Sequence, residues 1–217
     1  MNLSRQVIGV DESGKGDFFG PLVIASFYAS DAELEGLTRL GVRDSKLISD
    51  NKLIQIDARL RTAYPHALVI IGPERYNQLY DRIKNLNRLL AWGHARAIEN
   101  ILDKHPADLA ISDKFGNSAL IENALMEKGR TIRLEQLVRG ESILQVAAAS
   151  ILARAAFLRE MKKLSDFYRV TLPRGASAGV DRIGAHLVNQ YGPAVLDKIA
   201  KRHFKNYQRA VNPTLFK

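Results

Sequence analysis

Apolar residues fall into short blocks near the start of the chain and into longer periodic stretches after it. Gln6 to Val10 is apolar and β-branched and runs directly into Asp11-Glu12-Ser13-Gly14-Lys15-Gly16-Asp17, the pattern of a strand ending in a glycine-rich turn. Leu22 to Tyr28 follows Gly20-Pro21 closely enough to pair with it as a hairpin. Ala67 to Ile71, Leu109 to Ser112 and, more weakly, Thr131 to Leu134 supply further strands. Between the third and fourth, Leu79, Ile83, Leu86, Leu90, Ala97 and Ile101 recur at helical spacing, which predicts one amphipathic helix or two divided around Gly93. Ser142 to Phe157 is apolar nearly all round, the pattern of a buried helix, with Ser142 as its N-cap. The tail after Pro193 is basic and helical in pattern.

Strands gathered early and then alternating with helices predict an α/β fold, a mixed central sheet flanked by helices, with a helical C-terminal region over roughly 183–217. At 217 residues, without internal repeat or low-complexity linker, the chain reads as a single domain, 1–217. The turn-rich stretch Leu172 to Gly179 is a candidate mobile loop, too short to divide domains.

Composition narrows the chemistry. With 46% hydrophobic and 25% charged residues, no signal-peptide pattern and no membrane-length apolar run, a soluble cytoplasmic protein is expected, with no membrane partner. The chain has no cysteine, which excludes disulfides, thiolate metal sites and a cysteine nucleophile. Its five histidines (His66, His94, His105, His186 and His203) show no metal-ligand spacing, so carboxylates are the expected ligands and hard divalent cations the expected metals. Lys and Arg number 32 against 23 Asp and Glu, a net charge of +9 that suits a polyanion such as nucleic acid. A basic surface serving only solubility remains the plainer reading of that excess.

The carboxylates that carry chemistry stand at predicted strand ends. Asp11 and Glu12 close the first strand and Asp113 closes the fourth, where sites gather in α/β sheets. Glu141 follows Gly140 just before the buried helix, whose N-terminus favours an acid. Taken singly, each could be a solvated turn or a helix cap. Brought together they could not all stay ionised without a cation, and two divalent ions among them can activate a water and steady the leaving oxygen of a phosphodiester. The segment Gly9 to Lys15 also spells the phosphate-loop pattern G-x-x-x-x-G-K. Gly16 stands where that loop needs Ser or Thr, and Asp11 and Glu12 would repel phosphate from within it.

Asp11-Glu12-Ser13-Gly14-Lys15-Gly16-Asp17-Phe18-Phe19-Gly20-Pro21 resembles the first signature of type 2 ribonucleases H, and its Asp-Phe-Phe-Gly-Pro ending is similar to ribonuclease HIII rather than HII. Asp44-Ser45-Lys46, Tyr76-Asn77, Asn85-Leu86-Asn87, His94-Ala95, Asp113-Lys114-Phe115, Glu141, Ala147 to Arg154 and His203-Phe204-Lys205-Asn206 resemble later blocks of that family, in order and over nearly the whole chain. Ribonuclease HIII usually has an additional N-terminal substrate-binding domain, whereas Met1 here lies only a few residues before the first strand. The tyrosine with which HII enzymes recognise an RNA-to-DNA junction has no counterpart in Arg174-Gly175-Ala176-Ser177.

The resemblance implies a ribonuclease H-like fold. It implies an endoribonuclease that hydrolyses the RNA strand of an RNA/DNA hybrid by two-metal-ion cleavage, leaving 5′-phosphate and 3′-hydroxyl ends. Asp11, Glu12, Asp113 and Glu141 would be its catalytic residues and the ligands of Mg2+ or Mn2+. Gly14, Lys15, Gly16, Ser45, Lys46, Asn87, Lys114 and Arg139 would contact substrate, the glycine backbone sensing the 2′-hydroxyl. The same reading expects a monomer with no protein partner. A different class, a non-catalytic hybrid-binding module, would use the same basic surface, and binding in chelator without cleavage in magnesium would identify it.

Overall fold

The computed structural model describes residues 4–117, 119–125 and 128–212. Contacts within the chain divide these residues into two compact units, one of 1–12, 24–69 and 85–155 and one of 13–23, 70–84 and 156–217.

The first unit is built on the sheet. Its strands are β1 (Gln6–Ser13), β2 (Leu22–Ser30), β3 (His66–Ile71), β4 (Leu109–Asp113) and β5 (Arg133–Leu137), hydrogen-bonded in the order β3-β2-β1-β4-β5. β4 runs parallel to both β1 and β5, with Val10 opposite Ser112 as the last registered pair of β1 and β4. One step further along each strand come Asp11 and Asp113, so parallel register sets two acids on adjacent strand ends. Side chains alternate along a strand, and Val7, Leu109 and Ile111 share a buried cluster with Val146. That cluster faces α6 (Leu144–Tyr168), and Asp11 and Asp113 continue the same face. Gly9 makes the approach possible: a Cβ there would lie 2.1 Å from the carbonyl carbon of Gln145 in α6.

On α4 (Leu86–Leu102), Gly93 plays a similar part, since its Cβ would stand 2.6 Å from Ile24 Cδ1 of β2. The stretch is thus neither one helix nor two divided around Gly93. The break falls at Lys84, which ends α3 (Pro73–Ile83) in a left-handed conformation with φ 50°, and Asn85 caps α4 by accepting the Arg88 N–H at 3.1 Å. Gly93 serves close packing inside an unbroken helix.

Other boundaries moved as well. The fifth strand lies at 133–137 rather than 131–134, because Gly129–Thr131 forms a 3-10 turn closed by Thr131 on the Lys128 carbonyl. Ser142 does not cap the buried helix; it ends the 3-10 turn Gly140–Ser142, and α6 starts at Leu144. The remaining helices of this unit are α1 (Leu34–Arg39), α2 (Asp50–Ala63) and α5 (Ala119–Glu122).

The second unit holds the Ser13–Pro21 loop, α3, the end of α6 and the helices α7 (Ala178–Tyr191), α8 (Val195–Ile199) and α9 (Lys205–Val211). The expected C-terminal helices are present, beginning earlier than 183, and 213–217 lie outside the described residues. Gly184 brings α7 against α9, its Cβ position lying 2.9 Å from Ala210 Cβ. Buried Asn77 joins α3 to α8 by donating to the Ala200 carbonyl at 2.9 Å and accepting the Arg202 N–H at 2.9 Å. The Leu172–Gly179 stretch, expected to be mobile, is tied down: Gly175 N–H donates to Asp17 Oδ1 at 2.6 Å, and Asn206 donates to the Ala176 carbonyl at 3.1 Å.

Candidate active site

Asp11, Glu12 and Asp113 lie at the strand ends of the first unit, each held differently. Asp11 accepts its neighbour's main-chain N–H, Glu12 N to Asp11 Oδ1 at 2.8 Å, and a hydrogen bond from the Ser150 hydroxyl of α6. Burial first, then the charge of Glu12, raises the Asp11 carboxyl to about 7; the Ser150 and Glu12 hydrogen bonds oppose the rise and Asp113 adds to it. Asp113 Oδ1 accepts the Gly140 N–H at 2.9 Å. Gly140 can donate there only without a side chain, since its Cβ would sit 2.9 Å from Asp113 Cα. This contact brings the main chain of Glu141 beside Asp113, aided by the left-handed Arg139 at φ 60°.

Glu12, the next residue of β1, meets α4 instead. Its Oε2 lies 3.1 Å from Nε2 of His94, which is fully buried in α4 and lies against Phe115 with ring centroids 4.7 Å apart. A donor at Nε2 fixes the rotamer of Glu12, while the buried Nδ1 has no hydrogen-bond partner among the described residues. Spacing among histidines gave no hint of this contact. A usable signal was present elsewhere: His94 falls on the apolar face marked by Leu90, Ala97 and Ile101, where an imidazole needs a reason.

A second support lies behind Asp11. The Ser150 hydroxyl is 2.8 Å from that of Ser45, and Arg154 donates to the Ser45 carbonyl and, at 2.5 Å, to Asp50 Oδ1. Ser45, expected at the substrate surface, is thus buried and turned towards the rear of Asp11. Lys46, Lys114 and Arg139 are exposed, as phosphate contacts must be. Asn87 is half-buried beside Gly116, which follows Lys114 and Phe115. Gly14, Lys15 and Gly16 belong to the second unit, in the loop that follows Glu12 in the chain. Gly14 has φ +88°, and a Cβ there would meet the Pro21 carbonyl at 2.2 Å, while nothing lies near Gly16.

Among the described residues no three Asp, Glu or His side chains converge as a closed metal-binding group. The donor set nonetheless fits a hard divalent cation: oxygens only, with Asp11 crowded by two neighbouring negative charges that a cation would relieve. Glu141 is half-buried and enters this set by its backbone position next to Gly140.

A mixed five-stranded sheet with acids at adjacent strand ends and helices packed on it defines the ribonuclease H-like class of α/β nucleases. The family model for ribonuclease HII matches residues 8–207, and the chain belongs to that family. It is similar to ribonuclease HIII of Chlamydia abortus, with 43% identity over 213 residues, 97% of this chain and 71% of the relative. Ribonuclease HIII of Chlamydia pneumoniae is 46% identical over 206 residues, 94% of this chain and 69% of that one. Bst-RNase HIII, solved in complex with Mn2+, superposes with a TM-score of 0.90 at 32% identity, covering 99% of this chain and 71% of its own. The ribonuclease H2 of Pyrococcus horikoshii OT3 shares the fold, with a TM-score of 0.82 at 22% identity. Membership of this family makes the chain a ribonuclease, a hydrolase of phosphodiester bonds.

Proposed function

We propose that the chain cleaves the RNA strand of RNA/DNA hybrids at Asp11, Glu12, Asp113 and Glu141, with Mg2+ or Mn2+ held by these acids. The observation that carries the reading is the pair of acids set side by side by the parallel register of β1 and β4, one of them, Asp11, raised to about 7 by burial and its neighbours. A bound divalent cation supplies an activated water and a counter-charge for the leaving oxygen. Asp11, steadied by Ser150, and Asp113, steadied by Gly140, present carboxylate oxygens from one sheet face. Glu12 is aimed by His94, and Glu141 completes the set from its turn beside Asp113.

The substrate is held by charge and by backbone. Exposed Lys46, Lys114 and Arg139, together with Lys15, pair with phosphates, Asn87 lies within reach of the same strand, and the Gly14–Gly16 backbone reads the ribose 2′-hydroxyl. Ser45 acts from behind Asp11 through Ser150. No helix among the described residues is long and apolar enough to cross a membrane, and the reading places a single-domain monomer in the cytoplasm, with nucleic acid as its partner.

The test offers the protein an RNA/DNA hybrid, single-stranded RNA and a DNA duplex with one ribonucleotide, with each metal and with chelator. Cleavage of the hybrid in Mg2+ or Mn2+, abolished by chelator, is expected; binding without cleavage in either metal would refute the assignment. Four phosphate-pairing cations predict that hybrid affinity, measured in Ca2+ or chelator, weakens on the order of a hundredfold between about 50 and 200 mM salt. A flat response would remove the backbone-tracking surface.

A further inference from the structure

Lys201 is fully buried and lies far from the acids in sequence. Its ammonium donates to the main-chain carbonyls of Asp17 and Gly20, each at 2.8 Å. These two carbonyls bracket Phe18 and Phe19, so one side chain ties both ends of a short stretch of backbone. Main-chain bonds reinforce the tie: Lys201 N–H donates to the Phe18 carbonyl at 2.9 Å and Gly20 N–H to that of Ile199 at 2.8 Å. The loop is held from a further direction by Gly175, whose N–H reaches Asp17 Oδ1 and whose carbonyl accepts the Phe18 N–H at 3.0 Å.

The surroundings of Lys201 are aromatic. Its nitrogen lies 5.6 Å from the centre of the Tyr76 ring, and His203 stacks on Tyr80 with ring centroids 4.4 Å apart. Burial lowers the Lys201 amine to about 7, with Asp17 acting upward, and burial together with Lys201 lowers His203 to about 4. An ammonium has three N–H groups and a neutral amine two, so both carbonyls stay satisfied on either side of neutrality. A polar group buried at this depth without such partners would destabilise the fold, and here every bond it makes goes to one loop.

Gly14-Lys15-Gly16 precedes the clamped part and is joined to it by the Asp17 N–H bond to the Gly14 carbonyl at 3.3 Å. Gly14 is wedged under Pro21 and against Phe157, while Gly16 stands exposed with open space around it. Of the three residues Gly14 is buried, Lys15 half-buried and Gly16 exposed, so the backbone at Gly16 stands open to solvent on an anchored base.

We infer that Lys201 is a positioning residue, whose buried side chain sets the backbone of Asp17–Gly20 and through it the orientation of the Gly14–Gly16 amides and carbonyls towards the ribose of the RNA strand. The inference rests on the hybrid-cleaving function proposed above, and its reach is specificity: the clamp determines how sharply ribose is told from deoxyribose.

Lys201→Met tests it, since methionine nearly fills the same volume and removes both bonds. At a temperature well below unfolding, kcat on a hybrid is expected to fall about a hundredfold, the cost of a roughly 1 Å misplacement, with KM and Mn2+ binding little changed. The preference for a ribonucleotide over a deoxyribonucleotide at the cleaved position is expected to narrow in parallel, and the Gly14 and Gly16 amide resonances to move. A variant that only unfolds at lower temperature, with kcat, ribose preference and both resonances intact, would overturn the inference. Should Lys201→Met fail to fold, Lys201→Gln, which can reach one carbonyl, is measured instead, with a smaller loss in the same quantities expected and their constancy overturning the claim. If the wild-type chain fails to cleave hybrid, the functional reading falls by itself, and the amide resonances of the Lys201 variant still decide whether the clamp orients the tip.

Discussion

Asp11→Asn is expected to lose hybrid cleavage by at least about a thousandfold while becoming more stable without metal above neutral pH. Both effects have one cause. The folded chain holds the Asp11 carboxyl at about 7 against an ordinary 3.8, because burial and the charges of Glu12 and Asp113 disfavour ionisation. Below the ordinary value, folded and unfolded chains both carry the proton and the group contributes no difference. As pH rises from about 4 to 7 the unfolded chain releases its proton while the folded chain retains it, so metal-free stability falls through that window and stays lower above it. Asparagine has the same shape and no charge to bury, which removes the cost and, with it, the ligand. Thermal unfolding in chelator at pH 8 and single-turnover cleavage in Mn2+ check the two halves. Wild-type turnover by the variant would exclude Asp11 from the chemistry; a lower midpoint than wild type would contradict the charge strain.

The second large effect is competition between metal and proton. A cation that binds the ionised Asp11 must displace the proton that the folded site prefers below about 7. Between pH 5 and 7 the metal concentration for half-maximal binding is therefore expected to fall about tenfold per pH unit, and to level off above 7. Isothermal titration in two buffers of different ionisation enthalpy would show about one proton released per ion bound at pH 6. The Asp11→Asn variant should lose that slope along with most of its affinity. A metal affinity independent of pH across this range would mean that the ion binds elsewhere.

Much of this arrangement was legible in the sequence, for physical reasons that particular residues make clear. Gln6 to Val10 and Leu109 to Ser112 are apolar runs that end abruptly in acids, and central parallel strands buried on both faces have that appearance. The helices were legible by period, but where they divide was not. Gly93 looks like a breaker in one dimension, whereas its need for close contact with Ile24 exists only in three; Lys84, with no special propensity, took the left-handed conformation that ends α3. Glu141 was placed by its neighbour, since Gly140 is required by the approach to Asp113 and not by turn geometry of its own. Ser45 looked like a surface contact beside Lys46, but the short 3-10 turn, which rotates each residue by about a third of a turn from the last, sets the Ser45 hydroxyl inward to Ser150 while Lys46 and Leu47 stay outside. His94 and Ser150 lie in blocks that the resemblance marks, but their support of Glu12 and Asp11 escaped sequence reasoning, because a hydrogen bond between residues 82 positions apart, as for His94 and Glu12, leaves no periodic trace. Lys201 escaped for the same reason, in a tail whose sequence shows only a basic and helical pattern.

The same contrast explains why the two units bear on function differently. Acids of the first unit are set by strand register and helix contacts that tolerate little change, Gly9 and Gly140 above all. The loop after Glu12 depends instead on hydrogen bonds from the C-terminal segment, with Lys201 and Gly175 at their centre.

The claim on which the account turns is that Asp11, Glu12 and Asp113 share a divalent cation. Diffraction from crystals soaked in Mn2+, recorded at the manganese absorption edge, tests it most directly. The account predicts an anomalous peak within about 2.5 Å of carboxylate oxygens of Asp11 and Asp113, with Glu12 or Glu141 joining the shell, and no such peak in Asp11→Asn crystals. Manganese bound only at other surfaces, with these strand ends empty at saturating metal, would contradict it.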